Sequence, residues 1–278
     1  MVISNFRKIL SRITQTLYIN SLKAAIKQQD LSKTYLQLEK IVPDISEQYS
    51  CFKLDSEYLI TNIRGMHSFQ MSLTNKVISL LDKKSLTIVD IGDSSGTHIQ
   101  YIKNIHKDKG IRCLSVNLDE SAVNKIKSKG LEAIVSRAED LCAHSINADI
   151  FLSFEMLEHL TDPIKFLHQL SEKTSSEYFV ITVPFIRKSR VALHHIRKNN
   201  KNMMMAENTH IYEFSIDDWK LIFKHSGWDI VFEKVYYQYP KNNILWFTRF
   251  LWTLNDYEGF YGVILKRDNT WSSLYKDW

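Results

Sequence analysis

Four residues in the second half of the sequence combine two carboxylates with two imidazoles. Glu155, Glu158 and His159 stand at i, i+3 and i+4, and His210 follows further along the chain. On a helix, this spacing points the first three side chains toward one side. Two carboxylates and two imidazoles suit a divalent ion that holds a hydroxyl group and lowers its pKa. Without an ion, Glu158 and His159 would order the start of a helix, and a histidine would act as general base.

A glycine-rich segment, Asp90-Ile-Gly92-Asp-Ser94-Ser-Gly96, follows an apolar run. Glycine lets the backbone turn sharply and approach a ligand closely, because no Cβ intrudes. The spacing differs from the GxGxxG of dinucleotide-binding enzymes, so the turn need not hold a pyrophosphate. Two polar turns follow downstream, Asn117 with Asp119 and the run Ala138-Glu139-Asp140. Each turn alone is typical of a solvated loop, but their joint spacing favours one ligand site.

The elements that must position these residues are short apolar strands alternating with helices, which begin at Ser85. This alternation predicts βαβ units and a parallel sheet, with ligands beyond the carboxyl ends of the strands. Strands are expected at residues 86–91, 111–117, 131–136, 149–154, 177–184, 228–237 and 259–267. Helices are expected from near residue 97 and at 120–129, 159–170 and 216–226, and residues 1–84 are expected to be mostly helical.

These segments resemble the class I S-adenosylmethionine-dependent methyltransferases. Residues 90–96 resemble the family's acidic-x-Gly-x-Gly-x-Gly motif, with Ser94 in place of the middle glycine. The block ADIFLSFEMLEHLTDPIKFLHQL (148–170), followed by FVITVP, resembles the fourth-to-fifth-strand region of the methyltransferase 11, 12 and 23 families. The resemblance implies a Rossmann-like α/β fold with a seven-stranded, mostly parallel sheet, helices on both faces and a helical N-terminal extension.

The resemblance also implies S-adenosylmethionine as the cofactor. It places the glycine-rich turn below the cofactor, Asn117 at the ribose and Glu139 or Asp140 near the adenine. The family usually has Asp or Glu at the ribose position, so Asn117 contributes no charge-assisted hydrogen bond and predicts weaker binding. The expected cofactor-binding residues are Asp90, Gly92, Ser94, Gly96, Asn117, Leu118, Ala138, Glu139 and Phe154.

The carboxylate–histidine quartet resembles the Mg²⁺ site of small-RNA 3′-terminal 2′-O-methyltransferases and of ubiquinone-pathway O-methyltransferases. The resemblance implies a site for Mg²⁺ or another divalent metal at Glu155, Glu158, His159 and His210, with His159, His210 and Glu155 as catalytic residues. Metal-free relatives carry the same EHL-x-DP string, so a metal-free general base stays an alternative. In both cases an acceptor oxygen attacks the sulfonium methyl group in line, and the enzyme supplies alignment and proton removal.

A basic stretch follows the fifth predicted strand, where residues 178–206 contain no acidic side chain. Its cationic groups would favour phosphate or carboxylate at the rim where acceptors of this fold sit. A solvated loop is the alternative explanation of such a charge run. The expected acceptor-binding residues are Arg187, Lys188, Arg190 and His194, within an insertion at 186–210.

Size and composition exclude several classes of protein. The 278 residues are 44% hydrophobic with a net charge of +5, which allows one sizeable core plus an appendage and argues against disorder. Cys51, Cys113 and Cys142 are scattered, so neither a disulfide framework nor a zinc knuckle is expected. Scattered free cysteines favour a cytoplasmic location. The expected divisions are a helical extension or cap at 1–84, a methyltransferase domain at 85–267 and a tail at 268–278.

The N-terminal segment has no unbroken apolar stretch, so neither a signal peptide nor a membrane span is expected. Its apolar residues recur near helical spacing with basic residues between them. This pattern favours a helix that packs on its own domain or on a second copy in a homodimer. A helix lying on a membrane surface is the alternative.

These features predict an O-methyltransferase with a small anionic acceptor, phosphorylated or nucleotide-linked, such as a sugar or phosphoramidate precursor. The variant VDIGDSSGTH with a helical extension resembles methyltransferases of bacterial capsule and O-antigen clusters, which implies surface-polysaccharide biosynthesis. One alternative is a Mg²⁺-dependent RNA-end 2′-O-methyltransferase, although no separate RNA-binding module is evident. Another is a vestigial scaffold subunit, for which Ser94 and Asn117 argue because both depart from the cofactor pattern.

Overall fold

The computed structural model describes residues 2–49, 53–144, 146–254 and 256–275, and for residues 2–12 it describes the backbone alone. Helices and strands alternate from residue 85 onward, as the apolar pattern predicts. The helices are α1 (Val2–Gln28), α2 (Ser32–Ile41), α3 (Glu57–Leu81), α4 (Thr97–Ile105), α5 (Glu120–Ser128), α6 (Pro163–Lys173), α7 (His194–Arg197), α8 (Ile216–His225) and α9 (Arg249–Leu254). The strands are β1 (Ser85–Ile91), β2 (Gly110–Asn117), β3 (Glu132–Val135), β4 (Ile150–Phe154), β5 (Tyr178–Pro184), β6 (Arg190–Val191), β7 (Tyr212–Glu213), β8 (Trp228–Tyr237) and β9 (Gly259–Arg267).

Seven of the strands form one sheet, in the order β3-β2-β1-β4-β5-β9-β8. The first five strands are parallel to their neighbours, and β9 runs antiparallel to both β5 and β8. The seven predicted strands agree with these strands to within one residue at each end. The predicted Rossmann-like, mostly parallel sheet is therefore confirmed. The strand order reverses between β1 and β4, and such a reversal opens a crevice beyond the carboxyl ends of the strands.

Two hydrophobic cores cover the two faces of the sheet. Consecutive residues of a strand point to opposite faces, so Ile88 packs in one core and Val89 in the other. The first core also takes side chains from α2, α3, α4 and α5, and the second takes them from α6 and α8. Helices therefore lie on both faces, and the N-terminal helices share a core with the sheet.

Helix α3 brings polar side chains from the N-terminal region to the sheet. It begins at Ser56, whose hydroxyl accepts a hydrogen bond from the backbone N–H of Leu59. Its Phe69 packs so closely on β9 that a Cβ at Gly262 would lie 2.6 Å from the ring. At the next residue, the Gln70 amide donates to the Thr182 hydroxyl of β5 across 3.1 Å. The contacts fix α3 over the carboxyl end of β5.

The segment between β4 and α6 differs from the prediction. A helix was expected from residue 159, but α6 begins at Pro163 and Leu157–His159 form a single 3₁₀ turn. Asp162 accepts a hydrogen bond from the Lys165 N–H, which caps the helix, and proline is favoured at the first helical position. Proline also disfavours helical geometry in the residue before it, so the helix does not reach back to His159. Glu155 has φ +53°, outside any helix.

Two further expectations concern cysteines and the membrane. Cys113 is buried and Cys142 is half-buried, both as free thiols, whereas Cys51 lies outside the described residues. Among the described helices, none combines the length and the apolar character that crossing a bilayer would need.

Candidate active site

A cavity of about 220 Å³ opens beyond the carboxyl ends of β1, β2 and β4. Its walls come from the turns after these strands, from α3 and from the 3₁₀ turn Ala206–Asn208. Most of the predicted cofactor residues line it: Gly92, Ser94, Asn117, Leu118, Ala138, Glu139 and Phe154. Two members of the predicted metal quartet, Glu155 and His159, line its other end.

The turn between β1 and α4 forms the floor of the cavity. Gly92 has φ +96°, and its N–H donates to the Val116 carbonyl across 2.8 Å, which ties the turn to β2. A Cβ at Gly92 would lie 3.2 Å from Met156, so the position suits glycine for its space as well as its backbone angle. Gly96 has φ +75° and begins α4, packed against Ile126 and Leu131. Ser94 lines the cavity in place of the usual glycine.

A buried cluster of charged groups lies directly beneath this turn. His98 Nδ1 is 3.1 Å from an Asp90 oxygen and 3.6 Å from an Asp93 oxygen, and all three side chains are nearly inaccessible. Burial raises the pKa of Asp93 to about 6, and the Asp90 carboxylate adds to the shift. Burial alone would lower the pKa of His98, but the Asp90 carboxylate outweighs it and raises that pKa. Asp90 thus lies below the cavity rather than in its lining.

The predicted ribose position is partly occupied by contacts within the chain. The Asn117 carbonyl oxygen accepts from the Asp119 N–H at 2.8 Å, and its amide donates weakly to the Asp93 carbonyl at 3.4 Å. Asp119 also caps α5 by accepting from the Ser121 N–H. Asn117 remains in the cavity lining, so it can reach a ligand only by sharing or exchanging these hydrogen bonds.

Three members of the predicted metal quartet meet beside the cavity. Ligand atoms of Glu158, His159 and His210 lie within 4.8 Å of one another, and the two imidazole rings meet edge to face at 4.8 Å between centroids. The Glu158 side chain is buried, and neither of its oxygens has a hydrogen-bond partner among the described residues. The 3₁₀ turn Leu157–His159 and the strand β7 bring these residues together, rather than the helix that the spacing predicted.

The hydrogen bonds of the two histidines leave the same ring atom available on each. His159 Nδ1 lies 3.0 Å from the Ala206 carbonyl oxygen and 3.1 Å from that of Thr209, so it must donate. His210 Nδ1 lies 2.7 Å from the Glu213 carboxylate and likewise donates. In the neutral form of each ring, Nε2 then carries the lone pair, and the Nε2 of His159 lies 3.9 Å from Glu158. In that form, imidazoles oriented in this way suit metal binding or proton acceptance.

Glu213 holds this arrangement in place. Burial tends to raise the pKa of Glu213, but hydrogen bonds from His210, Arg190 and His194 outweigh it and lower the pKa to about 2. Burial tends to lower the pKa of His210, but the contacts with Glu213 and Glu158 raise it. The sequence did not identify Glu213, although an acid three residues after a candidate ligand is a usable signal for a second carboxylate behind the imidazole.

Glu155, the fourth member of the predicted quartet, is not among the three grouped ligand atoms. Glu155 is half-buried with its Oε1 inaccessible, and burial together with the charge of Glu158 raises its pKa well above the ordinary value. A buried neutral carboxyl can donate as well as accept a hydrogen bond.

The predicted acceptor-binding residues lie outside the cavity lining. Arg187 makes two hydrogen bonds to the buried Glu258 carboxylate, at 2.6 and 3.0 Å. Arg190 pairs with Glu213 and Asp256, and His194 lies 3.2 Å from Glu213. Lys188 is exposed and has no ion pair to any residue that the structure describes. Three of the four residues predicted to bind the acceptor thus contact acidic side chains of the protein instead, and these contacts hold the basic segment to the fold.

A family model described as a methyltransferase domain, Methyltransf_23, matches residues 66–233, which is more than half of the chain. This chain belongs to that methyltransferase family. It is an S-adenosylmethionine-dependent methyltransferase, and S-adenosylmethionine is its cofactor. The match begins inside α3, so the methyltransferase unit takes in part of the predicted N-terminal extension.

Solved structures resemble this methyltransferase in fold at low sequence identity. A Galdieria sulphuraria protein described as a sarcosine dimethylglycine methyltransferase is 9% identical with a TM-score of 0.55, covering 76% of this chain and 88% of that one. A Listeria monocytogenes S-adenosylmethionine-dependent methyltransferase is 12% identical with a TM-score of 0.52, covering 72% and 98%. The SpnF cyclase is 10% identical with a TM-score of 0.53, covering 88% and 97%.

At these identities the structural likeness shows the fold alone, and a cyclase shares it. No curated protein matches the sequence. The family assignment of this methyltransferase therefore rests on the match to the family model. The identity of its acceptor must be argued from the site.

The segment RGMHSFQ (64–70) allows His67 and Gln70 either to close over the cofactor or to lie on the surface of a helix. In the structure both residues line the cavity from α3, and burial lowers the pKa of His67 well below its ordinary value. Arg137 and Met156 also line the cavity. The α3 residues come from outside the βαβ pattern, so only the tertiary fold brings them to the strand ends.

Proposed function

We propose that this methyltransferase transfers the methyl group to a hydroxyl oxygen of a small anionic acceptor. The acceptor class would be a phosphorylated or nucleotide-linked compound, such as a sugar or phosphoramidate precursor of a surface polysaccharide. One observation supports an oxygen acceptor most directly: the cluster of Glu158, His159 and His210 presents two Nε2 lone pairs and a buried carboxylate beside the cavity. A hydroxyl group needs its proton removed as the new bond forms, and these groups can serve that need.

The cavity fits the cofactor that the family requires. Gly92 has a positive φ and little space for a Cβ, and the cavity runs from the turn after β3, past Asn117, to Phe154. We propose Gly92, Ser94 and Gly96 as the cradle, Asn117 and Leu118 at the ribose, and Ala138 with Glu139 at the adenine. Asp90 would act from below the turn, through the buried cluster with His98. S-adenosylmethionine supplies an electrophilic methyl group on a sulfonium.

We propose that Glu158, His159 and His210 hold a divalent ion such as Mg²⁺ or Mn²⁺, with Glu155 adjacent. Such an ion would bind the acceptor hydroxyl and lower its pKa. The donor set fits this role because both imidazoles have Nδ1 fixed by an acceptor, and the buried carboxylate has no other partner among the described residues. Without an ion, His159 Nε2 is the base that the geometry favours, because its Nδ1–H is held by two carbonyls.

The anionic character of the acceptor rests on the basic segment at 186–210. Arg187 and Arg190 keep their ion pairs in this proposal and hold the segment, while the exposed Lys188 meets the acceptor's phosphate or carboxylate. His194 shares Glu213 with His210 and lies between the segment and the metal cluster. The Glu213 carboxylate thereby links the acceptor-binding segment to the metal cluster.

The first test is calorimetric titration of the protein with S-adenosylhomocysteine, in Mg²⁺ and again in EDTA. One-to-one binding at micromolar strength, about −8 kcal/mol, is the expected result. A separate titration with Mn²⁺ should show one site that Glu158→Gln weakens at least about tenfold. Glu39→Gln, an exposed acid on α2, is the matched control and should leave Mn²⁺ affinity unchanged.

The outcomes separate the alternatives. Failure to bind S-adenosylhomocysteine in either buffer would favour a vestigial scaffold subunit. The hydrogen bonds that Asn117 makes within the chain would then account for the lost binding. Cofactor binding without a Mn²⁺ site would leave His159 as the general base. A panel of nucleotide-linked acceptors and short RNAs, assayed across salt concentrations, then separates the small acceptor from an RNA end, since polynucleotide binding weakens steeply with salt.

A further inference from the structure

An apolar ridge on the surface is formed by the 3₁₀ turn Ile244–Thr248 and the helix α9 that continues it. Large apolar side chains of this segment point away from the protein. Their exposed fractions are 89% for Ile244, 53% for Trp246, 50% for Phe247, 66% for Phe250 and 67% for Leu254. Clusters of exposed apolar side chains of this size are rare on proteins without a partner surface.

The opposite side of the same segment is buried against α1. The Trp252 indole N–H donates to the Ser21 hydroxyl at 3.1 Å, and that hydroxyl lies 2.8 Å from the Thr248 hydroxyl. The Tyr18 ring meets Trp252 edge to face at 4.6 Å between centroids. The segment is therefore held to the fold by one side, and the exposed apolar side is not needed to attach it.

Cationic residues lie within the ridge and before it in sequence, and the two acids that follow the ridge, Asp256 and Glu258, are ion-paired. Residues 234–255 contain Lys234, Lys241 and Arg249 and no acid. Residues 13–29, the part of α1 whose side chains the structure describes, contain Lys23 and Lys27 and no acid. The ammonium of Lys241 lies 3.7 Å from the centre of the Tyr237 ring, at the start of the ridge.

The basic segment that follows β5 joins the same region. Arg190 pairs with Asp256 immediately after α9, and Arg187 pairs with the nearby Glu258. The two acids after the ridge are thus ion-paired, and they attach the acid-free stretch 178–206 to the C-terminal end of the ridge. Three acid-free stretches of the chain therefore meet around one apolar ridge.

We propose that the ridge, Ile244–Leu254, is a peripheral membrane-binding surface for bilayers that contain anionic lipids. Exposed Trp, Phe and Leu side chains flanked by Lys and Arg are the composition that inserts into the headgroup region and is attracted by anionic lipid. A second copy of this chain fits less well, because docking ridge to ridge would bring like charges together. This proposal does not depend on the acceptor, and it concerns a surface apart from the cavity.

The test is co-sedimentation of the full chain with vesicles of phosphatidylcholine alone and of phosphatidylcholine with about a third phosphatidylglycerol. The expected result is at least about tenfold stronger binding to the anionic vesicles, reduced by added salt. The double variant Phe247→Ser/Phe250→Ser should lose most of this binding. Leu221→Ser, at a 68% exposed leucine on α8, is the matched control and should bind as the parent does.

Two further measurements keep the test decisive. Lys241→Glu should weaken binding to anionic vesicles several-fold while leaving S-adenosylhomocysteine affinity unchanged, which shows an intact fold. Light scattering of the parent and the double variant reports the oligomeric state. Absence of vesicle binding, equal binding to neutral vesicles, retention of binding by the double variant, or conversion of a dimer to a monomer by that variant would each overturn the proposal.

Discussion

The Nδ1 atom of His210 lies 2.7 Å from the Glu213 carboxylate, and the same carboxylate accepts from Arg190 and lies 3.2 Å from His194. This one acid therefore fixes the tautomer of a candidate ligand and holds the basic segment against it. Its pKa of about 2 keeps it ionised throughout the neutral range.

Replacing Glu213 by glutamine should weaken the binding of Mn²⁺ by about 10- to 100-fold, because the amide no longer fixes the His210 tautomer by a charge-assisted bond. Calorimetric titration measures the effect. Asp256→Asn is the matched control, since it removes a partner of Arg190 without touching His210. An affinity that falls equally in both variants would show that the loss comes from loosening the segment and not from the histidine.

Gly92→Ala should reduce S-adenosylhomocysteine affinity more than about tenfold, because the new Cβ would lie 3.2 Å from Met156 in a backbone region that L-residues avoid. Gly130→Ala is its control. Gly130 has φ +71° with nothing within 4 Å of an added Cβ, so this variant carries the backbone penalty of about 1–2 kcal/mol alone. Calorimetry and urea unfolding together separate the two effects, and equal affinities would contradict the role of Gly92.

The departure from the family pattern at Asn117 gives a prediction in the favourable direction. Asn117→Asp should tighten S-adenosylhomocysteine binding about tenfold, because a carboxylate accepts hydrogen bonds from a ribose diol with charge assistance. The aspartate can still accept from the Asp119 N–H as Asn117 does. Asn124→Asp, on the exposed side of α5, controls for the added charge. Unchanged or weaker binding in calorimetry would argue that Asn117 does not contact the ribose.

Much of the fold follows from periodicity. Strands such as Ser85–Ile91 and Tyr178–Pro184 are short apolar runs between polar turns, and this pattern fixes both their type and their bounds. The glycine-rich turn was predictable because Gly92 and Gly96 mark positions where φ must be positive. The pattern after β4 was misleading, since an i, i+3, i+4 spacing can belong to a 3₁₀ turn stopped by Pro163.

The rest of the site depends on tertiary contacts that leave no local trace. His67 and Gln70 read as part of an ordinary helix until α3 is packed over the end of β5. Two of the acids that pair with the basic segment, Asp256 and Glu258, lie more than sixty residues away in sequence. A charge run cannot show whether its cations face a ligand or a distant acid, and here Arg187 and Arg190 face acids.

The buried Asp93 gives a dependence of stability on pH. Burial, with the Asp90 charge added, raises its pKa to about 6 in the folded protein, so the folded state binds this proton more tightly than the unfolded chain. The stabilisation is fully present below about pH 4 and is lost as the pH rises through about 6. His98, whose pKa is raised by Asp90, acts in the same direction.

Asp93→Asn should remove this dependence, because an amide resembles the protonated acid in shape and does not titrate. Relative to the parent, the variant should gain about 2–3 kcal/mol in unfolding free energy between pH 4 and pH 7. Urea unfolding at several pH values without cofactor measures it, with exposed Asp108→Asn as control. Parallel pH profiles for parent and variant would show that Asp93 is already ionised near pH 4.

Adjacent cations after β5 should separate into a structural and a ligand-binding role. Arg187→Ala should lower the unfolding free energy by about 1–3 kcal/mol, because it removes two hydrogen bonds to the buried Glu258 carboxylate. Lys188→Ala should change stability by less than about 0.5 kcal/mol, since an exposed cation without a described ion pair contributes little.

The acceptor assay should show the reverse order. Lys188→Ala should raise the KM for a phosphorylated acceptor several-fold with little change in kcat, because an exposed cation would contact the anion equally in the ground state and the transition state. Arg187→Ala should lower activity only to the extent that it unfolds the protein. Glu258→Gln is the matched control, because it weakens the same ion pair from the other side. If Lys188→Ala leaves the KM unchanged and Arg187→Ala raises it at full stability, Arg187 leaves Glu258 to bind the acceptor, and the ion pair is exchanged during turnover.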